Sequence, residues 1–209
     1  MVSGLYYFYP MNFQTRNDCV QRLESKTVSD LTNEQREVLD AINSGPRGGS
    51  GDGVGLIGPY GVWVRAPKVG HAIQNLGAVA RFETKISEAV KEIAICVVGA
   101  HHRAKFEFAA HARLAIKAGI DPESVEAIRC GSVPALDGPV LISYEVAKEL
   151  VDSSRLAQNT YEDAITAFGE VGLIELVSVI GYYVLVSYSL NAFQVPILDS
   201  MTDPFPEVD

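Results

Sequence analysis

From Pro67 toward the C-terminus, apolar residues recur every three to four positions, the period of helices that bury one face. The breaks between these runs predict helices over 68–83, 86–101, 103–118, 122–130, 139–153, 160–169 and 172–191. Local chemistry punctuates them. Gly119 stands where a helix closes at its C′ position, Pro122 at the first position of the next helix, and Thr160 as an N-cap. Ahead of Pro67 one more helix is predicted, from near Thr32 to about Asn43, with Thr32 and Gln35 at capping-box spacing. Residues 1–29 read as an irregular arm, folded over the body by its Tyr and Phe side chains. Ser44 to Trp63 holds eight glycines and two prolines and reads as a long loop. No alternating run is long enough for a strand. The expected fold class is all-α: residues 1–54 supply an arm, one helix and a Gly-rich loop, and residues 55–209 a helical domain.

On the 103–118 helix the polar residues do not all gather on one side. Lys105, Arg113 and Lys117 share a face, whereas Glu107 and His111, four residues apart, fall roughly opposite, beside Ala104, Leu114, Ala115 and Ala118. A carboxylate and an imidazole on an apolar face are costly unless paired or used. At this spacing they can hydrogen-bond, and the carboxylate then fixes one imidazole tautomer and raises its basicity, as general acid–base chemistry needs. A satisfied pair that only fixes packing is the alternative. Glu92 lies beside Glu88 and Lys91 on the wheel of the preceding helix, so that wheel alone places it in solvent, near a favourable helix N-terminus.

The last apolar run, Leu173 to Leu190, has 18 residues and one charge, long enough to span a bilayer. Glu175 within it, Gly181 at its centre and the lack of basic flanks favour burial in a core or an interface instead. Glu175, Ser178 and Tyr182 form a polar stripe, either hydrogen-bonded within the core or one wall of a pocket.

Composition narrows the function classes. With 47% hydrophobic and 21% charged residues the chain is an ordinary globular protein. A formal net charge of −9 leaves no basic surplus for a nucleic-acid partner. It is compatible with a small anionic substrate held by one or two arginines. Three cysteines, Cys19, Cys96 and Cys130, sit far apart with no metal-ligand spacing, the usage of buried free thiols in a reducing compartment. The aromatic N-terminus does not resemble a secretory signal, which makes the cytoplasm the expected location.

Further candidates follow from single motifs. GPYGVWVRAP supplies Tyr60, Trp63 and Arg65, aromatics beside a guanidinium that suit a planar or unsaturated carboxylate. A loop pinned by Trp63 with Arg65 at the surface is the plainer reading, and Arg81 can play the same part as Arg65. His101 and His102 fall at a helix junction where a turn can aim one inward, but no third ligand stands at helical spacing, so no metal site is expected. The glycines of 45–55 follow no strand and match no nucleotide fingerprint.

Several of these motifs occur together and in order in a known family. KEIAICVV, KFEFAAH and LAIKAG, with GPYGVWVRAP before them and VGLIELVSVIGYYVLVSYSLNAFQVP after, resemble the carboxymuconolactone decarboxylase-like family over roughly residues 55–197. The resemblance implies the all-helical alkylhydroperoxidase D-like fold, assembled as a homo-oligomer (dimer, trimer or hexamer). In the peroxidase branch a Glu, a CxxC pair and a His form the motif. Laid onto this chain, the Glu is Glu92, the His is His111, and the two cysteine positions fall on Ala104 and Glu107. The redox pair is absent, as in the decarboxylase branch. The resemblance therefore places Glu92 in the same pocket as His111, against the wheel.

The expected activity is that of a lyase without a cofactor, a decarboxylase or related dehydratase, isomerase or cyclase, acting on a small unsaturated lactone or carboxylate. His111, Glu107 and Glu92 are its expected acid–base residues; Arg65, Trp63, Tyr60, Arg81, His101, His102 and Tyr182 are its expected substrate contacts. No nucleic-acid or membrane partner is expected. A peroxide reductase working through Cys96 or Cys130 and a non-catalytic oligomeric binding protein are the alternatives.

Overall fold

The computed structural model describes residues 21–45, 48 and 55–206, and all regular structure among them is helical. After a 3₁₀ turn at Val28–Asp30, eight helices follow: α1 Asn33–Ser44, α2 Tyr60–Trp63, α3 Pro67–Phe82, α4 Glu88–His101, α5 Lys105–Lys117, α6 Pro122–Arg129, α7 Gly138–Ser153 and α8 Gln158–Ala192. The expected helices are all present, within two residues at most ends. The loop read over 44–63 closes with the single turn of α2. Most of residues 1–29, including Cys19, lies outside the described residues.

The local signals act as read. Thr32 accepts from the Gln35 N–H while the Gln35 side chain accepts from the Thr32 N–H. Asp121 caps α6 and Pro122 occupies its first turn, and Gly119 takes the left-handed conformation (φ 97°) just beyond α5. Thr160 is a correction. It is not an N-cap, because α8 begins earlier, at Gln158 with Ala157 as its cap, and the Thr160 hydroxyl donates to Glu149 at 2.6 Å. The two helices expected over 160–169 and 172–191 meet end to end as α8, broken only at Gly169, where φ 67° and ψ 176° interrupt the helix. A residue without Cβ adopts that backbone readily.

Helix α4 is the centre of the molecule. It packs against α5, α6, α7 and α8, and every residue from Val90 to Gly99 is buried. Ser143 of α7 donates its hydroxyl to the Val90 carbonyl at 2.7 Å, tying α7 to the first turn of α4. A smaller apolar cluster of Leu31, Val38, Leu39, Ile42 and Val64 holds α1 near α3. Among the described residues α8 is long and apolar enough to cross a bilayer, with half of its apolar window buried inside the fold.

Candidate active site

Because α4 is enclosed on every side over Val90–Gly99, the polar residues of that span, Lys91 and Glu92, have no solvent to face. Glu92, expected from the wheel to be exposed, is 1% exposed, and the family resemblance rather than the wheel predicted its place. Helix α5 crosses beside it and projects Glu107 and His111 inward from one face. Leu114, read as sharing that apolar face, is exposed instead.

The result is one continuous chain of charge. Arg81, at the end of α3, donates Nη1–H to Glu92 Oε1. The other oxygen of Glu92 lies 2.6 Å from His111 Nδ1. His111 Nε2 lies 2.9 Å from Glu107 Oε1. Each ring nitrogen therefore faces its own carboxylate, and a protonated imidazole donates to both. Lys91, also buried, donates its ammonium to the Arg81 carbonyl at 2.7 Å and holds the end of α3 against α4. Arg81 and protonated His111 balance Glu92 and Glu107, and Lys91 pairs with Glu88 at the edge, so the set is near-neutral, the condition under which buried charge is tolerated.

Electrostatics fix the protonation of this set. Burial alone pushes the His111 pKa down, but Glu107 first and Glu92 second outweigh it and raise it to about 9. Burial pushes Glu92 up, and His111 with Arg81 reverses that, holding the carboxyl below its ordinary range. At neutral pH His111 is an imidazolium between two partners, a proton donor at rest.

The aromatic wall is a further finding. Tyr183, not singled out from sequence, sets its ring edge-on to His111 at 4.9 Å between centroids. Burial and then the charge of Glu107 push its hydroxyl pKa well up, so it stays a phenol. The only sequence signal for it was its place beside Tyr182. Tyr182 itself lies one step out, 5.2 Å from Tyr183 and 6.3 Å from Trp63. Trp63 donates Nε1–H to Ser189 at 3.3 Å, and Tyr60 packs edge-on against Trp63 at 5.6 Å. An unbroken run of rings leads from α2 to His111.

Other expected contacts lie elsewhere. Arg65 gives its guanidinium to the carbonyls of Gly61 and Glu24, so it binds the chain segment before α1 rather than the His111 site. His101 and His102 stand at the far end of α4, nine residues beyond Glu92 and roughly 13 Å along the axis. His101 is exposed near Asp152, and His102 packs on Tyr188 at 5.0 Å. The expected polar stripe on α8 is not one face: Glu175 accepts from the Lys85 N–H, Ser178 is exposed, and Tyr182 is buried. Among the described residues no three His, Cys, Asp or Glu side chains are arranged to hold a metal ion.

Positions 104 and 107, where the peroxidase branch carries its cysteines, hold a buried Ala104 and the Glu107 carboxylate. Cys96 is fully buried, and desolvation, then the nearby Glu92, pushes its thiol well up. Cys130 is exposed, but its hydrogen bond to Glu126 also raises it. Brief alkylation of the native chain, read by peptide mapping, is expected to label Cys130 slowly and leave Cys96 untouched. Rapid labelling of Cys96 would contradict this burial.

The model of the carboxymuconolactone decarboxylase family matches residues 67–148, from the start of α3 to within α7. Among curated proteins nothing matches the chain. The matched stretch includes Arg81, Glu92, Glu107 and His111, while Tyr182 and Tyr183 come from α8 beyond it. The match supports a carboxymuconolactone decarboxylase- or alkylhydroperoxidase-like function in general terms. Residues 67–148 thus match the carboxymuconolactone decarboxylase family, and the buried chain of charge within them is flanked by tyrosines from the C-terminal helix.

Proposed function

We propose that the chain is a lyase that works by proton transfer on a small unsaturated lactone or carboxylate, without a redox thiol. The observation that carries this reading is His111 held between Glu92 and Glu107 and protonated at neutral pH. In a decarboxylation the carbon–carbon bond to the carboxylate breaks, carbon dioxide leaves, and the electron pair remains as an enolate-like carbanion. That carbanion takes the Nε2 proton of His111 as Glu107 gives up its bond to the same nitrogen, and His111 recovers the proton from water. Glu92, fixed by Arg81, stabilises the imidazolium and sets the ring. Dehydration, isomerisation and ring closure use the same equipment.

Of the two candidate carboxylate anchors, Arg65 and Arg81, the contacts of each favour Arg81. The Arg65 guanidinium is taken up by two backbone carbonyls. Arg81 binds Glu92 through Nη1, while its Nη2 reaches only the exposed Glu88 at 3.7 Å. That outer edge suits a substrate carboxylate. Glu107 bonded to His111, rather than to backbone, supports chemistry over a purely binding role.

The test is a screen of carboxylated unsaturated lactones and β-keto acids for carbon dioxide release, repeated with His111→Gln and Glu107→Gln after circular dichroism confirms folding. Loss of the acid is expected to lower kcat/KM by about 10²–10⁴-fold in His111→Gln. Full turnover in both variants would remove the proposed site.

A further inference from the structure

Between the ends of α4 and α6 and the side of α7 the surface opens into a cavity of about 370 Å³, within the range of small-ligand sites. Its walls carry His101, Arg103, Arg129 and Lys148, and no Asp or Glu stands among its lining residues. In a chain of net charge −9 such a concentration of positive charge stands out. Two neighbouring cavities each include Asp203 in their walls. The cavity is also separate from the His111 site, since none of Arg81, Glu92, Glu107 or His111 lines it.

Helix ends explain only part of this charge. The helix dipole favours a basic residue in the last turn, which accounts for His101 on α4 and Arg129 on α6. Lys148 stands well inside α7, and Arg103 lies in the turn beyond α4. Arg103 takes a left-handed backbone (φ 48°), which disfavours any side chain; beyond α6 that conformation falls to Gly131.

The cations are held loosely enough to take a ligand. Lys148 pairs with Asp152 and Arg129 with Glu126, carboxylates whose side chains are 44 and 58% exposed. Water solvates both charges of such a pair, so an incoming anion displaces it at small cost. Among the described residues the Arg103 guanidinium has no carboxylate within ion-pair distance and donates no hydrogen bond. It lies over the Phe205 ring at 5.2 Å, while nearby Asp203 is bonded to Lys105 at 2.7 Å.

The rest of the lining sets the kind of anion. Buried Val97 and Ile128 form an apolar base, with Ala100 and Tyr144 beside them. Inorganic phosphate leaves that base uncovered. A carboxylate on an aromatic or unsaturated body covers it while its oxygens meet the cations.

We propose that this cavity binds a small organic carboxylate with a flat apolar body. Arg103 receives the carboxylate, Lys148 and Arg129 add charge, and the body lies between Tyr144 and the base. None of the lyase residues takes part, so binding here and turnover at His111 are separable.

Cys130 lines the same cavity and is exposed, which makes it a reporter of occupancy. In the full chain, benzoate should slow the alkylation of Cys130 by iodoacetamide saturably, with half-protection at about 1–10 mM. Peptide mapping reads the label. Benzyl alcohol, which lacks the charge, and inorganic phosphate, which lacks the body, should each protect about tenfold less well. Arg103→Glu and Lys148→Glu, with circular dichroism unchanged and each compared with its own unprotected rate, should weaken benzoate protection by about tenfold or more. No protection by benzoate well above this range, equal protection by the alcohol or by phosphate, or protection that survives both charge reversals would each overturn the proposal.

Discussion

Glu92→Ala is expected to destabilise the fold by about 3–5 kcal/mol, the cost of breaking a buried ion pair from one side. The carboxylate serves two cations at once, Arg81 through Oε1 and His111 through Oε2. Its removal leaves the largely buried Arg81 guanidinium with only the exposed Glu88 at 3.7 Å and His111 with one partner instead of two. For a domain whose whole stability is about 5–15 kcal/mol, that is a large fraction. Urea unfolding at neutral pH measures it. Arg81→Met combined with Glu92→Leu should cost less than Glu92→Ala alone, because no orphaned guanidinium remains. A loss below roughly 1 kcal/mol for Glu92→Ala would mean that water reaches the pair.

The second large effect is on pH dependence. His111 has its pKa raised from the ordinary 6.5 to about 9. A group raised in the folded state adds stability that is complete below its unfolded value and vanishes as pH rises through its folded value. Stability from His111, on the order of 3 kcal/mol for a shift of this size, should therefore be lost between about pH 6.5 and pH 9. Glu92 works in the opposite sense. Its depressed pKa adds stability above its unfolded value of 4.5 that is lost as pH falls through its folded one. The fold should be most stable between these two limits.

Activity should follow the same proton. An imidazolium acid is intact below about pH 9 and is lost above it, so kcat/KM should fall tenfold per unit on the alkaline side. Glu107→Gln removes the largest charge that raises His111, and should move both the alkaline limb and the ring titration, followed by ¹⁵N NMR, toward 6.5. An unmoved titration would mean that Glu107 does not set the acidity of His111.

The helical architecture was legible because it is written locally. Thr32 with Gln35, Pro122 after Asp121 and Gly119 after α5 each act within one turn of the chain, so their hydrogen bonds form much as the spacing predicts. Glu107 with His111 belongs to the same class, an i, i+4 pair on one helix. Thr160 misled because its hydroxyl found a partner on α7, which no local pattern contains.

Glu92 is the instructive case. A helical wheel sorts residues by assuming that one side meets water, and α4 has no such side over Val90–Gly99. Lys91 and Glu92 are adjacent in sequence and both buried, because Lys91 turns to the Arg81 carbonyl and Glu92 to Arg81 and His111. Family resemblance carried that information; periodicity did not.

By itself, then, the sequence determined that the chain is all-helical, where most of its helices begin and end, and that Glu107 and His111 share a face, since each follows from hydrogen bonds and spacing within a few residues. Only the tertiary structure decided that His111 lies between two carboxylates, that Arg81 completes Glu92, that Tyr183 rather than Tyr182 packs on the imidazole, and that Arg65 is spent on the backbone. Those contacts join α3, α4, α5 and α8 across separations that local periodicity does not encode. Their energies come from desolvation and charge, which depend on what surrounds a side chain rather than on which residues precede it.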